Sequence, residues 1–236
     1  ICVTGAEKAP PELFMLAEKM GKKDAVIEGY GITECSPILS ANRKGEPHIG
    51  VGRAIPSVEF LIVHPETYEV INQQQQGLIL ARGPNVFAGY LNPALASPFV
   101  SVQGKTWYKT GDLGHLDEAG NLTISGRQKR FIKIGGEMIS LAAVEDALLE
   151  AGHAKKWPLS EERPSLALCA KEEAGAKTKI YLFTDFALSL DEVNQTLREK
   201  GFSNLVKVSE VRELDEIPIM GSGKIYYRVL ETQYLV

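Results

Sequence analysis

Thr33 and Glu34 stand side by side in Tyr30-Gly31-Ile32-Thr33-Glu34, where a hydroxyl can bond a phosphate oxygen and a carboxylate can hold Mg²⁺. Asp112 closes Tyr108-Lys109-Thr110-Gly111-Asp112, and a carboxylate held between Gly111 and Leu113 can accept paired hydrogen bonds from the two hydroxyls of a ribose. Lys224 ends the glycine-bounded run Gly221-Ser222-Gly223-Lys224, a flexible mount from which an ammonium can swing to a site made by other parts of the chain. Between them lie Arg82-Gly83-Pro84 and Gly126-Arg127-Gln128-Lys129, and Arg127 to Arg130 with Lys133 form the dense basic cluster of the sequence. Taken singly, Gly-Tyr-Gly and Thr-Gly-Asp are ordinary turns and Lys224 is a solvated lysine. Gly-Ser-Gly-Lys-Ile also mimics part of a phosphate-binding P-loop, but the upstream glycine and the leading apolar strand are missing.

The elements that must position these residues change in texture along the chain. Pro10-Pro11-Glu12 opens a segment with Leu13, Leu16, Ala17 and Met20 at helical spacing, and Gly21 ends it. Ala25-Val26-Ile27-Glu28 is expected to be a short strand, which puts the first motif on the loop that follows. Strand, helix, strand and loop is the pattern of an open α/β sheet whose ligands sit beyond the carboxyl ends of its strands, assigned here to residues 1–54. Residues 55–128 turn to short strands (Val58 to Val63, Leu78 to Ala81, Leu122 to Ser125) between glycine, proline and asparagine turns, a β-rich subdomain. Gln73 to Gln76 reads as a solvated turn. Beyond a boundary near Lys129, Leu141, Val144, Leu148 and Leu149 form a helical stripe, followed by strands at 165–171 and 179–184 and a helix at 191–200. Residues 129–236 thus read as a compact α+β domain after α/β and β-rich parts.

The chain has 236 residues, 44% hydrophobic and 24% charged, an ordinary globular composition with room for two modest domains. Its formal net charge of -4 speaks against non-specific nucleic-acid binding, and no nucleic-acid partner is expected. Apolar runs such as Phe60 to Val63 are too short to cross a bilayer. Cys2, Cys35 and Cys169 have no metal-ligand spacing and fit reduced thiols of a cytoplasmic protein, with Cys35 as buried filler. The four histidines are scattered, and nothing pairs them with a nucleophile. Ile1-Cys2-Val3 reads as a strand already under way, so the chain is expected to be a piece of a longer protein, and the piece carries no secretory leader.

In this order the motifs resemble the carboxylate-activating, adenylate-forming (AMP-binding) acyl ligases over nearly the whole chain. Within that family they are most similar to the bacterial acyl-acyl-carrier-protein synthetases fused to a 2-acylglycerophosphoethanolamine acyltransferase. That branch is carried by Gly5-Ala6-Glu7-Lys8, Gly29 to Cys35, Lys129-Arg130-Phe131, Gly221 to Lys224 and Gly136-Glu137-Met138-Ile139-Ser140-Leu141, the last in place of a proline-containing form commoner among acyl-CoA ligases. Joining a carboxylate to AMP brings two anions together, so such a protein must supply cations and positioning.

The resemblance implies the C-terminal portion of such an enzyme: the end of the large adenylation domain over 1–128 and a small mobile lid over 129–236. It implies ATP and Mg²⁺ as cofactors, with Thr33, Glu34 and Lys224 catalytic: Thr33 on a phosphate, Glu34 on the metal, Lys224 bridging the substrate carboxylate and the α-phosphate. Gly5, Ala6, Glu7, Tyr30 and Gly31 would form the adenine side of the nucleotide site, Tyr30 packing on the base, while Asp112 and Arg127 reach the ribose. Lys129 falls at the family's hinge, where many members carry aspartate, and Gly135 and Gly136 would line the tunnel for a thiol carrier. The implied partners are a fatty acid, the phosphopantetheine of acyl carrier protein and, through a further part of the parent, a lysophospholipid. The implied location is the cytoplasm, extending to the inner face of the bacterial inner membrane through the parent protein. Two departures stand out. Leu78 replaces a glutamate usual after the glycine, and no Ser/Thr/Gly-rich phosphate loop precedes Tyr30, so the 236 residues alone are not expected to adenylate an acid. The alternatives are a long-chain acyl-CoA or aryl-CoA ligase and, from another class, a non-catalytic module that docks carrier protein. An amino-acid-activating domain fits less well, because the aspartate-bearing pocket pattern is absent after Tyr30.

Overall fold

The computed structural model describes residues 1–5, 9–171 and 178–235. It divides into two compact units, Ile1–Gln128 and Lys129–Val236.

In the first unit, strands β1 (Cys2–Thr4) and β2 (Val26–Gly31) pair in parallel, with Val3 opposite Ile27. Parallel neighbours need a crossover, and α1 (Pro11–Lys19) supplies it, starting on a proline whose missing N–H costs nothing there. β3 (Ile38–Ala41) and β4 (Arg53–Ala54) add antiparallel neighbours, giving the order β1-β2-β3-β4. The second sheet is antiparallel: β5 (Glu59–Val63), β6 (Gly77–Arg82), β7 (Phe99–Val102), β8 (Lys105–Leu116) and β9 (Leu122–Arg127). Its order is β5-β6-β8-β7, and the 12-residue β8 is long enough to pair β7 through its first part and β9 through its second. β6 is buried on both faces, which explains why it reads as the continuous run Leu78-Ile79-Leu80-Ala81 rather than as an alternation. Leu78, the residue that replaces a glutamate in the resemblance, is core at 1% exposure. Leu39, Cys35, Ile62, Ile79, Ala81 and Leu122 join the two sheets in one apolar cluster.

In the second unit, β10 (Phe131–Ile134) and β11 (Glu137–Ser140) form a hairpin. Gly135 and Gly136 turn it with positive φ at both positions (59° and 89°), as a two-residue hairpin turn requires. Ser140 then caps α2 (Leu141–Lys155) by accepting from Ala143 N at 3.1 Å. β12 (Leu166–Lys171), β13 (Lys179–Thr184) and β14 (Val208–Glu213) make a sheet in that order, with α3 (Leu190–Glu199) crossing between the parallel pair β13 and β14. One face packs Leu166, Leu168, Ile180, Leu182 and Val208 against Val144, Leu148, Val193 and Leu197 of the two helices. The other face, Ala167, Cys169, Tyr181 and Phe183, is covered by Ile217, Leu230 and Leu235 of the C-terminal segment. Lys171 and Arg212 hold that segment by donating to the carbonyls of Leu235 and Tyr234.

The mixed α/β and α+β class expected from sequence is the class observed. Two local expectations change. Tyr30 and Gly31 belong to β2 itself rather than to a following loop, and Thr110-Gly111-Asp112 is not a turn but the middle of β8.

Candidate functional site

β2 ends at Gly31, and the chain reverses through a 3₁₀ turn, Thr33–Cys35, closed by Ile32 N donating to Pro37 O at 2.7 Å. A Cβ on Gly31 would lie 1.9 Å from Pro37 O, so the strand and the returning chain approach this closely only with glycine between them. The turn presents Thr33 to solvent and leaves Glu34 partly exposed, with Cys35 fully buried beneath. Burial pushes the Cys35 thiol up to about 11. Segment 85–90 grips this turn. Asn85 Nδ2 donates to the carbonyls of Cys35 and Ile38, each at 2.8 Å, Phe87 N donates to Glu34 O at 2.8 Å, and Tyr90 Oη donates to Glu34 Oε1 at 2.8 Å.

Asp112 is placed by an irregularity in β8. Leu80 pairs with Lys109 and Leu78 with Leu113, so Thr110, Gly111 and Asp112 together oppose Ile79 alone. Gly111 takes φ 75°, and Thr110 Oγ1 fastens the bulge by donating to Ile79 O at 2.7 Å and accepting from Asp112 N at 3.1 Å. The outcome is a buried carboxylate that meets Tyr30 Oη at 2.5 Å through Oδ2 and Arg127 Nε at 2.9 Å through Oδ1. Burial raises the Asp112 carboxyl above its ordinary value, against the opposing pull of the Tyr30 hydrogen bond and the Arg127 charge. Burial and the charge of Asp112 raise Tyr30 in turn. An ionised carboxylate offers about four lone-pair sites. Tyr30 and Arg127 take two, which leaves acceptor capacity for a pair of hydroxyls. Tyr30 is 9% exposed, and in this structure its ring is core and its hydroxyl serves Asp112.

Gly5 follows β1 with its backbone against Gly29, where a Cβ would come within 3.0 Å of Gly29 O. Gly5, Gly31, Thr33 and Glu34 therefore gather at the carboxyl ends of the parallel pair, and Asp112 with Arg127 joins them through Tyr30. Ala6 and Glu7 lie outside the described residues.

The remaining candidates belong to the second unit. Lys129, exposed, lies in the 3₁₀ turn Gln128–Arg130 at its start. Lys224 sits in a tight reversal in which Met220 N donates to Lys224 O at 2.7 Å, Gly223 N donates to Met220 O at 2.9 Å and Ile219 bridges Ile225. Sequence reasoning missed what stands behind both. Arg130 packs over the Tyr227 ring at 3.7 Å and pairs with Glu145 at 2.7 Å, while Tyr227 Oη donates to Glu145 Oε2 at 2.9 Å and Arg130 Nη1 to Leu168 O at 2.7 Å. Tyr90 was also missed; the aromatic and glycine in Phe87-Ala88-Gly89-Tyr90, just after Arg82-Gly83-Pro84, were the available signal.

Among the described residues no group of three or more His, Cys, Asp or Glu side chains could hold a metal. A single carboxylate still suits Mg²⁺, which keeps several waters and takes phosphate oxygens alongside one or two carboxylates. Glu34 fits: Tyr90 occupies Oε1, and Oε2 makes no hydrogen bond or ion pair among the described residues.

Residues 1–91 match the family described as AMP-binding enzyme. That match takes in the β1–β4 sheet, the Thr33–Cys35 turn and the segment that grips it. It is 37% identical over 153 residues to a long-chain-fatty-acid–CoA ligase of Bacillus subtilis, an alignment spanning 63% of this chain and 26% of that protein. It is 36% identical over 154 residues to an indoleacetate–CoA ligase of Aromatoleum aromaticum, covering 63% of this chain and 29% of that one. The solved O-succinylbenzoate coenzyme A synthetase of Bacillus subtilis, in complex with ATP and magnesium ion, superposes with a TM-score of 0.73 at 26% identity, over 97% of this chain and 46% of its own. ATP and Mg²⁺, the cofactors the sequence implies, are the ligands of that structure. The chain spans between a quarter and a half of the length of these relatives, at 26%, 29% and 46%.

Proposed function

We propose that this chain is the C-terminal part of an ATP-dependent ligase that converts a fatty or aryl acid to its acyl-AMP and passes the acyl group to the thiol of CoA. The observation that carries the reading is the buried Tyr30–Asp112–Arg127 constellation, a carboxylate with two acceptor sites to spare beside the Thr33–Glu34 turn. CoA as acceptor is supported by relatives named as CoA ligases for long-chain fatty acids and for indoleacetate. ATP supplies the leaving group and Mg²⁺ the counter-charge on its phosphates. Asp112 accepts from the ribose hydroxyls, Arg127 pairs with it and favours its charged form, Thr33 donates to a phosphate oxygen and Glu34 fixes the cation. Lys224 contributes its ammonium between the two anions, Lys129 serves as hinge, and the Gly135-Gly136 turn leaves room for the thiol arm.

A second reading keeps acyl carrier protein as acceptor and lysophospholipid acylation by another part of the parent, at the inner face of the bacterial inner membrane. It is favoured by the sequence stretches that carry that branch of the resemblance, the Gly136-to-Leu141 run above all. No described helix is long and apolar enough to cross a membrane.

The test is ATP–pyrophosphate exchange by the full-length protein over fatty acids, benzoates and amino acids, followed by acyl transfer to CoA or to holo-acyl carrier protein. Exchange with fatty or aryl acids that falls by about a thousandfold in Lys224→Ala, the scale on which loss of one transition-state contact acts, with transfer to CoA, is the expected result. Transfer to carrier protein alone selects the second reading, and no exchange with any acid would leave a docking module.

A further inference from the structure

We infer that Tyr90 is a positioning residue for Glu34, holding one carboxylate oxygen so that the other meets the cation; the inference rests on the reading of Glu34 above. Glu34 lies on a turn whose backbone is already fixed by Phe87 N and Asn85 Nδ2 at 2.8 Å. Those contacts set where the main chain runs but leave the long side chain free to rotate. Tyr90 Oη, at 2.8 Å from Oε1, is the hydrogen bond that fixes the carboxylate itself. The Tyr90 ring meets Phe87 edge-on at 5.0 Å, and Phe87 meets Tyr108 edge-on at 5.7 Å. Tyr108 comes from β8, four residues before Asp112. The two carboxylates of the site are thus each held by a tyrosine hydroxyl from another element, Asp112 by Tyr30 and Glu34 by Tyr90.

Ordering a flexible glutamate at the moment of binding costs affinity, and a hydrogen bond that orders it beforehand removes that cost. Hydrogen bonds to a charged group sit at the strong end of the range. Losing this one therefore weakens cation binding by about tenfold.

The experiment uses the full-length protein with a non-hydrolysable ATP analogue, reading Mn²⁺ affinity by electron paramagnetic resonance beside the Mg²⁺ dependence of pyrophosphate exchange. Tyr90→Phe keeps the ring and removes the hydroxyl. It is expected to weaken Mn²⁺ about tenfold and to raise the half-saturating Mg²⁺ to match, with kcat restored at high Mg²⁺ and KM for the acid unchanged. Phe87→Leu thins the packing but keeps the hydroxyl, and is expected to leave Mn²⁺ affinity as it was. Wild-type Mn²⁺ affinity in Tyr90→Phe, alongside its loss in Glu34→Gln, overturns the role of Tyr90 and spares that of Glu34. Equal weakening in Phe87→Leu overturns it too, since loop packing would then account for the effect. Full Mn²⁺ affinity in Glu34→Gln overturns the reading on which the inference stands.

Discussion

Asp112 sits 3% exposed, and its carboxyl holds its proton above the ordinary carboxylate value because burial outweighs Tyr30 and Arg127. A raised folded value means that the native state binds the proton more tightly than the unfolded chain, where the group titrates near about 3.9. Its contribution to stability is therefore fully present below that pH and is lost as pH rises through the folded value. Asp112→Asn removes the loss. Thermal melts of wild type and variant should show the variant gaining relative stability as pH rises above about 4, while on the proposed function adenylation by the full-length variant collapses. A buried carboxyl that costs stability is the trade a site built for a ligand would make. The sequence singled out Asp112 through its motif, and Thr110 and Gly111 of that motif are the residues that place its carboxylate in β8. It did not reveal that Tyr30 would spend its hydroxyl on Asp112, because Tyr30 and Asp112 are 82 positions apart and only the packing of two sheets on one core brings them together.

Elements whose pattern follows a single periodicity were easy to read: β2, β6, α2 and α3 are all found close to where their apolar residues put them. β8 was not, because Lys-Thr-Gly-Asp looks like a turn and is a bulge. Gly31 and Gly111 separate two reasons for a glycine. At Gly111 nothing lies within 4 Å of an added Cβ, so Gly111→Ala meets only the unfavourable φ, roughly 1 kcal/mol. At Gly31 the added atom collides with main chain at 1.9 Å, so Gly31→Ala should cost several times as much and open the Thr33–Cys35 turn. Urea unfolding ranks the two, and equal costs would refute the distinction. β14 escaped notice because Glu210, Arg212 and Glu213 break its apolar pattern, a common guard on an edge strand. The Arg130–Glu145–Tyr227 cluster escaped for a different reason, since its members are scattered along the chain and no spacing connects them. Glu145→Ala leaves the Arg130 guanidinium without its buried partner and should cost about 3–5 kcal/mol. Tyr227→Phe removes one hydrogen bond and should cost about 1 kcal/mol by the same unfolding measurement.

At the scale of the whole molecule, each unit closes a core of its own: one apolar cluster joins the two sheets of the first, and a sheet covered on both faces makes the second. The cysteines happen to be distributed across that division. Cys2 is exposed, Cys35 is sealed in the first unit at 0% exposure, and Cys169 is sealed in the second at 1%. Burial raises the two sealed thiols to about 11 and about 12. Since only the thiolate reacts, and only when reached, each sealed thiol is silent until its surroundings open. The chain thus carries a native stopwatch for each half. With a thiol reagent in excess, Cys2 should modify at once and Cys35 and Cys169 in two later phases, timed by mass spectrometry. Gly31→Ala should quicken the Cys35 phase alone, and Glu145→Ala the Cys169 phase alone. If either substitution hastened both phases equally, the two cores would be opening as one.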